Sequence, residues 1–157
     1  MPFSEGVTAA CVEGIWQGLK VFENEDIDVD MFKNDTMRNI KRSVRTHGRV
    51  LGHRKGVRGS EILGYVEAKH EIYIPTYRWV LENKTPDLLM RLKTMSSEGL
   101  VVLLDYNTCC DADDGSKPLS HAFLVGAYVE GLYPYGEKVP CAENKQKEKR
   151  EKQLSLF

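Results

Sequence analysis

No stretch of this 157-residue chain approaches the roughly 18 consecutive apolar residues that a membrane-spanning helix needs. Its first residues, MPFSEG, lack the basic-then-apolar order of a secretory leader, so the chain is expected in the cytoplasm with no membrane partner. Cysteine is sparse. Cys11, Cys109, Cys110 and Cys141 form no C-x-x-C pair, and two adjacent cysteines do not readily join each other. Neither a disulfide framework nor a zinc site is therefore expected, and the thiols are read as reduced. Acids are missing altogether between Arg38 and Arg58, where eight Lys and Arg side chains and two histidines occur instead.

What is present describes a globular protein. Hydrophobic residues make up 41% of the chain and charged ones 29%, a balance that excludes a disordered segment. The net charge of −1 conceals segregation. Acids gather at residues 23–30 and 105–114, while cations gather at residues 38–58. Such a basic run either meets a polyanion, through phosphates or a nucleic-acid backbone, or forms a solvated helix face.

The apolar spacing of Val12, Ile15, Trp16, Leu19 and Phe22 predicts a helix through CVEGIWQGLKVF. Glu13, Gln17 and Lys20 fall in one stripe of that helix. Seven residues rise about 10.5 Å, so Glu13 and Lys20 bracket a space the size of a small sugar. Apolar walls lower a lysine pKa and free an amine nucleophile, and a neighbouring carboxylate can move protons. The same spacing also fits the wet face of an amphipathic helix. Gly14 and Gly18 cost that helix about 1 kcal/mol each relative to alanine, which points to something lying close against its backbone, either a ligand or a packed neighbour.

Further along, the pattern of residues 31–48 is helical, and Gly48, Gly52, Gly56 and Gly59 read as loop chemistry around an anion cradle. Ser60 is expected to cap a helix over residues 61–70, and EIYIPTYRWVLENK to continue it with a break at Pro75. A helix opens at Pro86, with Leu88, Leu89, Leu92 and Met95 as its core stripe. GLVVLLDYN reads as a buried strand, and LSHAFLVGAYVEGLY as a last core helix that Ser120 starts. Asp105, Asn107, Asp111, Asp113 and Asp114 are calcium-like in type, but no window has glycine sixth and glutamate twelfth. No metal and no cofactor are expected. His121 faces this loop as an orienting or structural residue.

The helix V-E-G-I-W-Q-G-L-K-V-F resembles the E-x-x-x-Q-x-x-K helix of the YbiA-like, or NADAR, superfamily. H-G-R-V-L-G-H at residues 47–53 is similar to that family's basic Gly-Arg element, and the later helix, strand, loop and helix follow in the same order. The resemblance implies a mainly helical fold and an enzyme that acts on N-glycosidic bonds. It also implies that Lys20 attacks the anomeric carbon, Glu13 is the acid–base partner and Gln17 positions substrate. Where such proteins carry Trp-Gly, this chain has Asp105-Tyr106-Asn107-Thr108. Asp105 and Asn107 are candidates for ribose hydroxyls, and Tyr106 for stacking on a base. Trp16, Arg49, His53, Arg54 and His121 complete the expected substrate-binding set.

From Asn144 onward the chain is charged and has no apolar residue before its last five. These, Gln153, Leu154, Ser155, Leu156 and Phe157, resemble the pentapeptide that docks on the bacterial sliding clamp. There Leu154, Leu156 and Phe157 fill an apolar groove and Gln153 offers its amide; packing on the chain's own domain is the alternative. The expected organisation is thus one α+β, mainly helical domain over residues 1–143, with one or a few short strands, and a tail over residues 144–157. The expected function is an N-glycosidase or ADP-ribosyl hydrolase using a lysine Schiff base. Its substrate is a small nucleotide sugar or ADP-ribosylated nucleic acid. The alternative is a non-catalytic accessory protein that binds nucleic acid and the clamp.

Overall fold

The computed structural model describes residues 1–133. They form a mainly helical α+β protein with one small antiparallel sheet of three strands. The chain divides into two compact units, Met1–Thr85 and Pro86–Phe157. No helix of the described residues is long and apolar enough to cross a membrane.

The first unit begins with helix α1, Val12–Gly18. It starts at Cys11, whose Sγ accepts from the Gly14 N–H at 3.2 Å. The expected helix through residue 22 stops early because its last carbonyls are taken by other segments. Gly18 O accepts from Asp28 N and Leu19 O from Arg54 N, both at 2.8 Å. The chain then turns into strand β1, Lys20–Phe22. Lys20 is therefore a strand residue, and the 10.5 Å spacing expected of a continuous helix does not apply.

Residues 31–48 are also not one helix. A 3₁₀ turn spans Val29–Lys33, capped by Asp28, and a short helix α2 spans Val44–His47. Between them Met37 and Asn39 adopt positive φ (60° and 52°), which a right-handed helix cannot contain. The glycine-rich stretch read as loop is in part strand β2, Val50–Arg54. It pairs antiparallel with β1, placing His53 opposite Lys20, and with strand β3, Ile62–Leu63. Helix α3, Tyr65–Ala68, runs through a π-helical turn at Lys69–Tyr73 into helix α4, Ile74–Lys84. The wider turn lies just ahead of Pro75, which has no N–H to give an i−4 carbonyl.

The core of this unit joins Ile15 and Leu19 to Phe32, Leu63, Ala68 and Ile72. Gly14 and Gly18 are explained here. A Cβ at Gly14 would lie 2.7 Å from the Met31 carbonyl oxygen. One at Gly18 would overlap the Phe32 ring and lie 2.9 Å from the Asp28 carbonyl oxygen. Protein packing, not a ligand, presses on this helix. Gly52, at φ +152°, sits against the Leu63 carbonyl in the same way.

In the second unit, helix α5 spans Pro86–Glu98 and helix α6 spans His121–Val129. Only Leu89 of the expected α5 stripe is buried; Leu88 and Met95 are exposed. Ser120 caps α6 as expected, its hydroxyl accepting from Phe123 N. GLVVLLDYN forms neither strand nor buried core: Leu100, Val102, Leu104 and Tyr106 are exposed. Apolar content alone marks such a run as interior, yet a strand forms only where a neighbouring edge receives its backbone. Cys110 is disulfide-bonded, contrary to the expectation of reduced thiols, while Cys11 and Cys109 are free.

Substituting Gly18 or Gly52 with alanine is expected to destabilise the protein by about 2 kcal/mol or more. Gly99→Ala, where no atom lies within 4 Å of the added Cβ, should stay within about 0.5 kcal/mol. Urea midpoints of the three variants test this ordering.

Candidate active site

The first unit gathers Glu13, Trp16, Gln17, Lys20 and His53 at the junction of α1, β1 and β2. Gln17 is buried, and its side-chain amide bridges the other two members of the stripe. Its Nε2 donates to Glu13 Oε1 at 2.8 Å, and its Oε1 accepts from Lys20 Nζ at 2.9 Å. The backbone N–H of Arg42 donates to that same oxygen at 3.2 Å. The amide is thereby held in one orientation, with its acceptor toward the amine.

Burial lowers the Lys20 pKa from its usual range, against an opposing pull from Glu13 and with further lowering by Arg42 and Lys41. His53 lies across the strand pair from Lys20. It is 1% exposed, and neither ring nitrogen has a hydrogen-bond partner. Its ring packs on Trp16 with centroids 3.8 Å apart. Burial, helped by the Lys20 charge, pushes the His53 pKa down to about 3, so the imidazole is neutral at physiological pH. Tyr65 and Tyr73 meet Trp16 edge-on. Together these groups make a half-buried amine with a neutral aromatic wall and a carboxylate one amide away.

Arg42 organises the surroundings, and its sequence position gave no hint of this. It is 6% exposed, whereas Arg38, Lys41, Arg45 and Arg49 around it are exposed. Its Nη1 donates to Lys20 O at 2.6 Å and to Gln17 O at 3.4 Å, and its Nη2 to Asp26 O at 2.6 Å. Glu25 pairs with it and also with His47. Lys69 and Tyr65 were not anticipated either. Lys69 is buried on the π-helical turn, with its Nζ over the Tyr65 ring.

Other expected site residues are engaged elsewhere. Arg49 is exposed and pairs with Glu23. Arg54 pairs with Asp26 and donates to Gly59 O. Each of these cations thus has a carboxylate partner in the structure. Asp105, Tyr106, Asn107 and His121 belong to the second unit. Asp105 Oδ2 accepts from Ser120 Oγ (2.9 Å), His121 N (2.7 Å) and Ala122 N (3.2 Å). Burial acts to raise the Asp105 pKa, but these bonds and one from Asn107 N hold it near 2. The carboxylate satisfies donors at the start of α6. Tyr106 is fully exposed. Gln153, Leu154, Leu156 and Phe157 lie outside the described residues. No group of three or more His, Cys, Asp or Glu among the described residues could hold a metal ion.

Two predictions follow from these placements. Asp105→Ala should cost about 1–2 kcal/mol in stability, read as a lower urea midpoint, and leave any chemistry at Lys20 intact. For His53, the unfolded imidazole binds a proton below its ordinary pKa near 6.5 and the folded one only near 3. Stability is therefore full above pH 6.5 and falls as the pH drops toward 3, by at most about 1.4 kcal/mol per unit. His53→Phe should flatten urea midpoints between pH 6.5 and 4.

No curated protein and no solved structure matches the chain. The resemblance to the YbiA-like, or NADAR, superfamily does not hold, because the family model that matches is a different one. One short helix with the right residue types matched by spacing, and the chain leaves that helix before Lys20. With its model matched over residues 1–125, the chain belongs to a family of unknown function, DUF6939.

Proposed function

We propose that the protein is an N-glycosidase that cleaves the bond between a base and a phosphorylated ribose, with Lys20 as nucleophile. The observation that carries this reading is the Glu13–Gln17–Lys20 relay. It combines an amine whose protonation is disfavoured by burial with a carboxylate held at a fixed remove. An exposed lysine at neutral pH is almost wholly protonated and cannot attack carbon.

In the proposed reaction the neutral Lys20 amine forms a bond to the anomeric carbon as the bond to the base breaks. The proton lost from the amine passes through solvent water to Glu13 and from there to the departing base nitrogen. Ring opening gives a Schiff base on Lys20. Water then adds to the same carbon, releasing the sugar with a free anomeric hydroxyl and restoring the amine. Gln17 orients the amine. The neutral His53 and Trp16 wall places no second charge against it. ADP-ribosyl groups, on a small nucleotide sugar or on a nucleic-acid base, have the required bond and phosphates.

Borohydride reduction during turnover of ADP-ribosyl substrates should trap a sugar on Lys20, located by peptide mass spectrometry. Lys20→Ala should abolish trapping, and Glu13→Gln should slow cleavage by about 10²-fold or more. Absence of both cleavage and trapping across ADP-ribosylated nucleosides and oligonucleotides would sink the proposal.

A further inference from the structure

The run Leu-Val-Val-Leu-Leu at residues 100–104 has the composition of a buried strand. Yet among the described residues none of its backbone N–H or C=O groups has a hydrogen-bond partner. Exposure along it alternates with the period of two that marks extended backbone. Leu100, Val102 and Leu104 are 93%, 70% and 90% exposed and Tyr106 is fully so. Between them Leu103 is 37% exposed, and Val101 and Asp105 are half-buried. The inner set is anchored on α6. A Cβ on Gly126 would meet Leu103 Cδ1 at 3.8 Å, and Asp105 Oδ2 holds the first residues of that helix. The outer set carries no charge and stands in solvent. A segment with one face anchored, the other apolar and its backbone unpaired is an open strand edge, a template for a further strand.

We infer that residues 100–106 of two copies of this chain pair as antiparallel strands about a two-fold axis at Leu103, making the protein a homodimer. The alternation fixes the register. With the axis at Leu103, Leu100 of one protomer faces Tyr106 of its partner and Val102 faces Leu104, so every outward side chain meets another apolar one. An axis at Val102 would instead set Tyr106 opposite Glu98, the last residue of α5. A second copy fits this edge because the segment is its own complement under that rotation, the requirement of an isologous interface. The four outward residues expose roughly 700 Å² per copy, close to the ~800 Å² per partner of a standard stable interface. Pairing also supplies partners for the backbone groups of residues 100–104, which a strand of this composition requires.

Sedimentation velocity of the full chain at micromolar concentration should show a dimer. Val102→Lys places a charge in the apolar pairing and should weaken dimerisation by about a hundredfold or more, with an unchanged far-ultraviolet circular dichroism spectrum. Leu88→Lys, at an exposed apolar position on α5, should leave the dimer intact. Register is read by cross-linking. Under mild oxidation a mixture of Val102→Cys and Leu104→Cys chains should give a disulfide-linked dimer, because directly paired Cα atoms lie about 4.5–5.5 Å apart. Neither variant alone should exceed the wild type, since its introduced thiols fall on the diagonal, about 7–8 Å apart. A monomeric full chain would overturn the inference, and one that dimerises only after residues 153–157 are deleted would assign the edge to the chain's own tail. A dimer that Val102→Lys leaves intact, or equal cross-linking by either variant alone, would overturn it as well.

Discussion

The buried guanidinium of Arg42 is the interaction on which the first unit depends. It ties together the end of α1, the start of β1 and the turn at Asp26 by donating to the carbonyls of Gln17, Lys20 and Asp26. A planar cation with fixed donors suits this task better than a lysine. The arrangement works because Glu25 supplies a counter-charge at 3.3 Å and the Phe22 ring lies 4.9 Å from the guanidinium carbon. A buried cation lacking such partners would cost several kcal/mol. The carbonyl of Lys20 is one of the three acceptors, so the same group that closes the fold also fixes the backbone of the candidate nucleophile.

Close backbone approach is the second constraint. The 3₁₀ turn at Val29–Lys33 lies so near α1 that only glycine fits at positions 14 and 18. This contact buries Phe32 against Leu19 and Ile15. It also leaves the other face of α1, with Glu13 and Gln17, turned toward β1 and the segment around Arg42. The helix thus gives up intrinsic propensity for packing on one side, and its polar residues form the site on the other. The neutral His53 and the ring of Trp16 close that site from β2 and α1.

Part of this was legible in the residues. Glu13, Gln17 and Lys20 stood out by spacing, and they do meet, though through an amide bridge and not across a sugar-sized gap. His53 was expected at the site and lies opposite Lys20. Arg49 and Arg54 were expected there too, but long-range partners at Glu23 and Asp26 claim them. Those partners sit 26 and 28 residues away in the chain, and periodicity carries no information over such separations. Asp105 shows a related limit. A carboxylate that caps a helix sixteen residues later has the same sequence appearance as one that awaits a ligand.

Composition and local patterning by themselves determined that the chain is a mainly helical α+β protein, with cations and acids segregated, helices over Pro86–Glu98 and His121–Val129, and a polar set near residue 20. These features depend on solvation and on neighbours within a few residues, which the sequence records directly. Tertiary structure decided where α1 ends, that the glycine-rich stretch is strand, that GLVVLLDYN is not, and which cations keep a free charge. Each depends on a backbone or carboxylate partner brought from a distant segment. Burial and ion pairing are properties of the folded neighbourhood, and they alone separate Arg42, held inside, from its exposed chain neighbour Lys41.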